Sequence, residues 1–252
     1  LILVKTFFAA NPLRNYSYLV AESETGEAWV IDPFAAGPVI DYIRKNGLVL
    51  KGILNTHQHW DHVHGNAPLR DAFGAPVHEL KSSDAIRLSD DYTLEALATP
   101  GHTLDHQAFL WKERGMPRAL FSGDTLFNAG VGNCRGGGDV DLLFATTERL
   151  RGLPPETVLY PGHDYRRRNL EFALSVEPEN RQVARRLREI GDRSTEELAP
   201  ATLGEELAVN PFLRLDLEEL RQIVGTGEEP LSEPVRLRRE LFKRLRQLRD
   251  QW

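Results

Sequence analysis

The sequence is poor in cysteine. Cys134 stands alone among 252 residues, so no disulfide can form within the chain. That accords with a reducing compartment, and a cytoplasmic location is expected. Long apolar runs are absent too: nothing approaches the roughly 20 residues that a membrane-spanning helix needs, so no membrane association is expected. Leu1-Ile2-Leu3-Val4-Lys5 is strand-like and has neither the basic start nor the small-residue cleavage site of a signal peptide. Positive charge is in deficit, with a formal net charge of −6, which argues against non-specific nucleic-acid binding. No internal repeat and no low-complexity tract is visible.

What is present is the composition of a soluble globular protein. Hydrophobic residues make up 41% and charged residues 27%, and the length suits one large domain plus a small one. Residues 1–32 read as a β-meander: Asn15–Val20 and Ala28–Asp32 are rich in β-formers, with the turn signal Thr25-Gly26 between them. Residues 37–46 read as a helix, with Pro38 in its first turn and Asn46-Gly47 at its end. A buried strand at 50–55 follows, then a helix near 67–73, a short strand at Val77-His78-Glu79 and a helix over 81–88. Further strands are expected at 94–99, 107–111, 119–122 and 157–160. From Asn169 the apolar spacing turns helical: Leu170, Ala173 and Leu174; Val183, Leu187 and Ile190; Leu217, Leu220 and Ile223; Leu241, Leu245 and Leu248. The chain thus divides near residue 168, into an α/β domain over 1–168 and an α-helical domain over 169–252.

The chain is organised around Thr56-His57-Gln58-His59-Trp60-Asp61-His62. His57 and His59 share one side of an extended segment; Asp61 continues the alternation and His62 breaks it. The four converge only if the chain turns after His59, as where a strand runs into a loop. Imidazole nitrogens and carboxylate oxygens suit zinc and other borderline divalent metals. Three further strands end on a small residue followed by His or Asp: Gly101-His102, Gly123-Asp124 and Gly162-His163. This set exceeds the three or four ligands of one ion. It fits two sites and a bridge: His57, His59 and His102 for one metal, Asp61, His62 and His163 for the second, and Asp124 between them. Two divalent ions per chain are expected, zinc first, with iron and manganese as the other candidates. A metal-bound hydroxide at neutral pH would attack a carbonyl, with Asp61 and Asp124 as the catalytic carboxylates. Cys134 has no neighbour to activate it.

These motifs, in this order, resemble the metallo-β-lactamase superfamily over residues 1–168, and within it the hydroxyacylglutathione hydrolases (glyoxalase II). Asn15-Tyr16-x-Tyr18-Leu19-Val20 is similar to that family's first strands, and Gly162-His163-Asp164-Tyr165 to its Gly-His-Glu-Tyr. Asn169–Ala173, Val176–Asn180, Leu203–Glu206 and Asn210–Arg214 are similar to its helical part. The resemblance implies an αββα sandwich with a small C-terminal helical domain, a dinuclear centre and hydrolysis of a glutathione thioester such as S-lactoylglutathione, by a monomer or homodimer. It also implies substrate contacts. Asn133 stands where the family has a lysine and Arg135 where it has a tyrosine, while Arg238-Arg239-Glu240-Leu241 matches its Arg-Arg-Glu-Lys except at the last position, where the second lysine is missing. Asn133, Arg135, Tyr165 and Arg238 are therefore the candidate substrate-binding residues, with Lys243 a further cation for the carboxylates of glutathione.

Tyr165 can equally cap the core beside His163. The basic run 236–249 is also the solvated face of an amphipathic helix whose buried stripe is Leu241, Leu245 and Leu248. His78 and His106 are expected to be structural, and His64 to face solvent or support a ligand. The competing enzyme is a glutathione persulfide dioxygenase, a relative with one Fe(II) on the equivalents of His57, His102 and Asp124. A non-catalytic scaffold around a structural metal is a third reading.

Overall fold

The computed structural model describes residues 1–216, 220 and 234–252. The chain folds as two compact units interleaved in sequence. The first comprises residues 1–98, 105–124 and 160–164; the second comprises 99–104, 125–159 and 165–252.

The first unit is built on two five-stranded sheets. One runs β1 (Ile2–Phe8), β2 (Tyr16–Glu22), β3 (Glu27–Ile31), β4 (Val49–Leu54) and β5 (Val77–His78), in that spatial order. β1, β2 and β3 pair antiparallel, and β3, β4 and β5 pair parallel. The other sheet has the order β12-β9-β8-β7-β6: β6 is Ala85–Arg87, β7 Tyr92–Ala98, β8 Gln107–Glu113, β9 Met116–Gly123 and β12 Val158–Pro161. Alternation in β2 explains its place. Tyr16, Tyr18 and Val20 point between the sheets and meet Leu94, Ala96, Phe109 and Phe121 of the second. Leu19 and Ala21 point outward, where Val39 and Ile43 of α1 (Ala36–Lys45) and Leu69 of α3 (Asn66–Phe73) cover them. A strand buried on both faces carries apolar residues throughout, which is why this stretch reads as a near-continuous run. Between β4 and α3 lies a single helical turn, α2 (Trp60–Val63).

The helix expected over 81–88 is a turn followed by strand β6. The Asp84 carboxylate accepts the Lys81 N–H at 2.8 Å, and Ser83 takes φ 76°. A short acidic side chain that captures local backbone in this way competes with helix. Ala85, Ile86 and Arg87 then pair with Glu95, Leu94 and Thr93.

The second unit holds the hairpin β10 (Leu126–Phe127) and β11 (Gly130–Val131) and the helices α4 (Val140–Arg151), α5 (Arg166–Val176), α6 (Arg181–Ile190), α7 (Leu203–Val209) and α8 (Pro234–Gln251). Side chains set the helix starts. Asp139 accepts the N–H groups of Asp141 and Leu142, Asn180 those of Gln182 and Val183, and Thr202 with Glu205 forms a reciprocal capping box. Leu170, Ala173, Val183 and Ile190 form one cluster, as their spacing predicts. Phe242 packs edge-on to Phe144 and Phe212, with centroids 5.6 and 5.2 Å away. Leu241 and Leu245 are buried, Leu248 only half so. Leu217 and Ile223 lie outside the described residues. Among the described residues, no helix is long and apolar enough to cross a membrane.

Candidate metal centre

Three strand ends of the first unit deliver histidine and aspartate to one place. β4 runs into His57, His59, Asp61 and His62; β9 ends at Gly123 and delivers Asp124; β12 is followed by Gly162 and His163. His62, Asp61 and His163 place one ligand atom each within 4.8 Å of one another, and so do His57, His62 and Asp124. His62 Nε2 lies 3.3 Å from His163 Nε2, 3.5 Å from Asp124 Oδ1 and 3.6 Å from Asp61 Oδ2. His163 Nε2 is 3.1 Å from Asp124 Oδ2. His57 Nε2 and His59 Nδ1 are 2.9 Å apart. Gly162 allows this closeness: a Cβ there would collide with Asp124 Oδ1 and press on the His62 ring.

Around this cluster, the far sides of the His57, His62 and His163 rings are tied. His62 Nδ1–H donates to Asp32 Oδ2 at 2.8 Å, and His163 Nδ1–H donates to the Leu13 carbonyl at 2.8 Å. His57 Nδ1 contacts Thr56 Oγ1 at 3.1 Å, and that hydroxyl donates to Asp32 Oδ2 at 2.6 Å. Each arrangement turns Nε2 toward the cluster and fixes the ring, as metal-binding histidines require. Asn15 Nδ2 donates to Asp61 Oδ2 at 2.9 Å, and the Asp124 N–H donates to His106 Nε2 at 3.2 Å.

The electrostatics favour cations. Burial pulls the His62 imidazole toward neutrality, but Asp124, Asp32 and Asp61 outweigh it and raise its pKa to about 9. Burial likewise opposes ionisation of Asp124, yet His163, His62 and His57 hold its carboxyl well below the usual range. Imidazole nitrogens facing buried carboxylates, with nearby N–H groups already committed, form a donor set that positive charge completes. The chemistry of these residues fits divalent metal.

The remaining candidates belong to the second unit. His102 lies after β7, and its Nδ1–H donates to the Asn133 carbonyl at 2.7 Å. Gly101 precedes it with φ 149°, and a Cβ there would strike the Leu143 backbone. Asn133 and Arg135 are exposed; Arg135 donates to the Asp250 carbonyl at 2.8 Å. Tyr165 packs edge-on to Phe127 at 5.3 Å. Arg238 is held by Glu148 at 2.8 Å and Asp216 at 3.2 Å, and Lys243 by Asp141 at 2.8 Å. In the first unit, His64 is exposed and stacks on Phe34, while His78 meets the Trp29 ring edge-on.

Sequence reasoning missed Asp32 and Asn15. Asp32 reads as the end of a strand before Pro33, although its carboxylate accepts from Thr56 twice and from His62. Its φ of 48° is the local sign of a special position, and only coordinates reveal that. His106, expected to be structural, is buried against His57 and supports Asp124.

Comparison with known proteins agrees with this geometry. Residues 10–92 and 84–163 match the metallo-beta-lactamase superfamily, and residues 164–252 match the hydroxyacylglutathione hydrolase C-terminus. A hydroxyacylglutathione hydrolase of Polaromonas sp. (strain JS666 / ATCC BAA-500) is 39% identical over 271 residues, covering 100% of this chain and 100% of its own. The structure of a metallo-beta-lactamase from Staphylococcus aureus subsp. aureus COL superposes with TM-score 0.65 at 22% identity, covering 95% of this chain and 72% of its own; that likeness concerns the fold. TTHA1623, solved in a di-iron-bound form, superposes with TM-score 0.59 at 28% identity, covering 83% of this chain and 100% of its own.

Proposed function

This chain belongs to the metallo-beta-lactamase superfamily and, within it, to the hydroxyacylglutathione hydrolase family; from that premise we propose that it hydrolyses S-acylglutathione thioesters, S-lactoylglutathione first among them. Water adds to the thioester carbonyl carbon, the C–S bond breaks, and a hydroxy acid and a thiol leave. The observation that carries the reading is the buried His/Asp donor set of the first unit, in a chain similar end to end to such a hydrolase.

The residue assignments are proposals on the same footing. His57, His59 and His102 hold one ion, Asp61, His62 and His163 the second, and Asp124 is shared. Zinc suits this nitrogen and oxygen set, and iron is the ion found in one structural neighbour. When bound, the ions supply an activated water and a Lewis acid for the carbonyl oxygen. The protein's own part is orientation. Asp32, Leu13 and Thr56 fix the rings, and Asn15 holds one oxygen of Asp61, which with Asp124 forms the catalytic carboxylate pair. Asn133, Arg135 and Tyr165 face the thiol carrier. Arg238 joins them only if a carrier carboxylate replaces Glu148 or Asp216 at its guanidinium. We place the domain boundary near residue 168, the protein in the cytoplasm, and its quaternary state as monomer or homodimer.

The test pairs metal analysis with turnover. About two metal ions per chain and thiol release from S-lactoylglutathione without oxygen uptake are expected. One iron per chain with oxygen consumption on glutathione persulfide would overturn the hydrolase in favour of a dioxygenase.

A further inference from the structure

The backbone just beyond Asp124 is held by side chains from helices of the second unit. Asn210, at the end of α7, donates through Nδ2 to the Gly130 carbonyl at 3.1 Å and the Phe127 carbonyl at 3.4 Å. Asn169 of α5 donates to the Asn128 carbonyl at 2.9 Å. Arg246 of α8 donates through Nη1 to the Val131 carbonyl at 2.8 Å and the Gly132 carbonyl at 3.1 Å. Glu206 of α7 takes the donors: Oε2 accepts the Ala129 N–H at 2.6 Å, and Oε1 accepts Asn128 Nδ2 at 3.0 Å. Ala129 sits at φ 54°, a left-handed conformation that a residue with a Cβ keeps only under restraint.

Asn169, Glu206, Asn210 and Arg246 are all buried. Buried polar and charged groups are costly unless fully bonded, and apolar residues would pack these helices at no such cost. What the polar set adds is direction: each group fixes the orientation of one or two peptide units. The clamped run ends at Gly132. The next carbonyl, that of Asn133, accepts Nδ1–H of His102 at 2.7 Å. That bond decides which nitrogen of His102 carries the proton and which is left as a ligand.

We propose that the clamp sets the His102 ring through the Asn133 carbonyl, and that Arg246, bonded nearest to that carbonyl, is a positioning residue for metal retention. This rests on the reading of His102 as a ligand. The helices then act on His102 from within the unit that holds it.

The test is zinc retention in Arg246→Met, Arg246→Lys and His102→Ala, each dialysed against graded chelator and analysed for bound metal, with circular dichroism to check folding. Arg246→Met should lose one zinc at about tenfold lower chelator than the parent, in the range expected for a partner of a ligand. Arg246→Lys should recover part of that loss, because an ammonium can reach one of the two carbonyls. Parental retention in folded Arg246→Met, alongside loss in His102→Ala, overturns the clamp and leaves His102 a ligand. Parental retention in His102→Ala overturns the ligand reading itself, and the clamp with it. Should Arg246→Met not fold, Arg246→Lys decides: a shift in its retention supports the clamp, and none overturns it.

Discussion

The loop at 56–62 and the loop at 125–133 are both held in one shape, by opposite means. The first hangs from β4, a strand paired parallel on both sides, and a few short bonds finish it: Asp32 to Thr56 and His62, and Asn15 to Asp61. The second has only a two-residue hairpin of its own, and long side chains reach from helices to grip its carbonyls. A loop anchored on strands needs little help because the sheet sets its direction. A loop anchored on helices needs a dedicated bond at nearly every peptide. Damage to the first should therefore strike chemistry, and damage to the second should strike stability or metal retention.

Stripping metal tests the contrast most severely. Dialysis against a strong chelator should abolish thioester cleavage and leave the far-ultraviolet circular dichroism largely unchanged, because the core between the sheets is apolar and independent of the ligands. Collapse of the spectrum would show that the centre holds the sheets together. Asp124→Ala comes next, with an expected loss of at least about a thousandfold in kcat/KM, measured by thiol release; activity within tenfold of the parent would remove Asp124 from the centre. In the second unit, Phe242→Ala should cost about 3–5 kcal/mol in urea denaturation. The side chain is fully buried between two aromatic rings, and a loss below about 1 kcal/mol would contradict that packing.

Asp32→Asn should weaken metal retention about 10- to 100-fold, because the amide no longer offers a charged acceptor to His62; unchanged retention would reduce Asp32 to a packing residue. The smallest effect concerns Cys134. Burial pushes its thiol up to about 11, against a partial pull downward from Arg246. The thiol stays protonated at neutral pH, so iodoacetamide should react several-fold more slowly than with an exposed thiol and accelerate as pH approaches that value. Rapid alkylation at pH 7 would show the thiol to be activated.

Much of the metal cluster was legible beforehand because its residues sit on local signals: a histidine spacing that changes period, and small residues where strands end. The strands at 50–55, 107–111 and 119–122 were legible for the same reason, as apolar runs bounded by glycine or charge. The segment 81–88 was not, because Asp84 captures backbone that a helix would have used. Nor were Asp32 and Asn15, whose roles depend on partners 24 to 46 residues away. Arg238 reads as a candidate substrate contact in the sequence and proves to be engaged by two carboxylates from distant positions.

The sequence by itself determined which chemistry is available, since imidazole and carboxylate in that order are donors for metal wherever the chain puts them. It also determined the helices that carry Leu170, Val183 and Leu241, because an apolar period acts over a few positions. Tertiary structure alone decided which ring nitrogen faces the centre and which carbonyls the helices grip. Those choices are made by hydrogen bonds between residues far apart in the chain, and no local pattern records them.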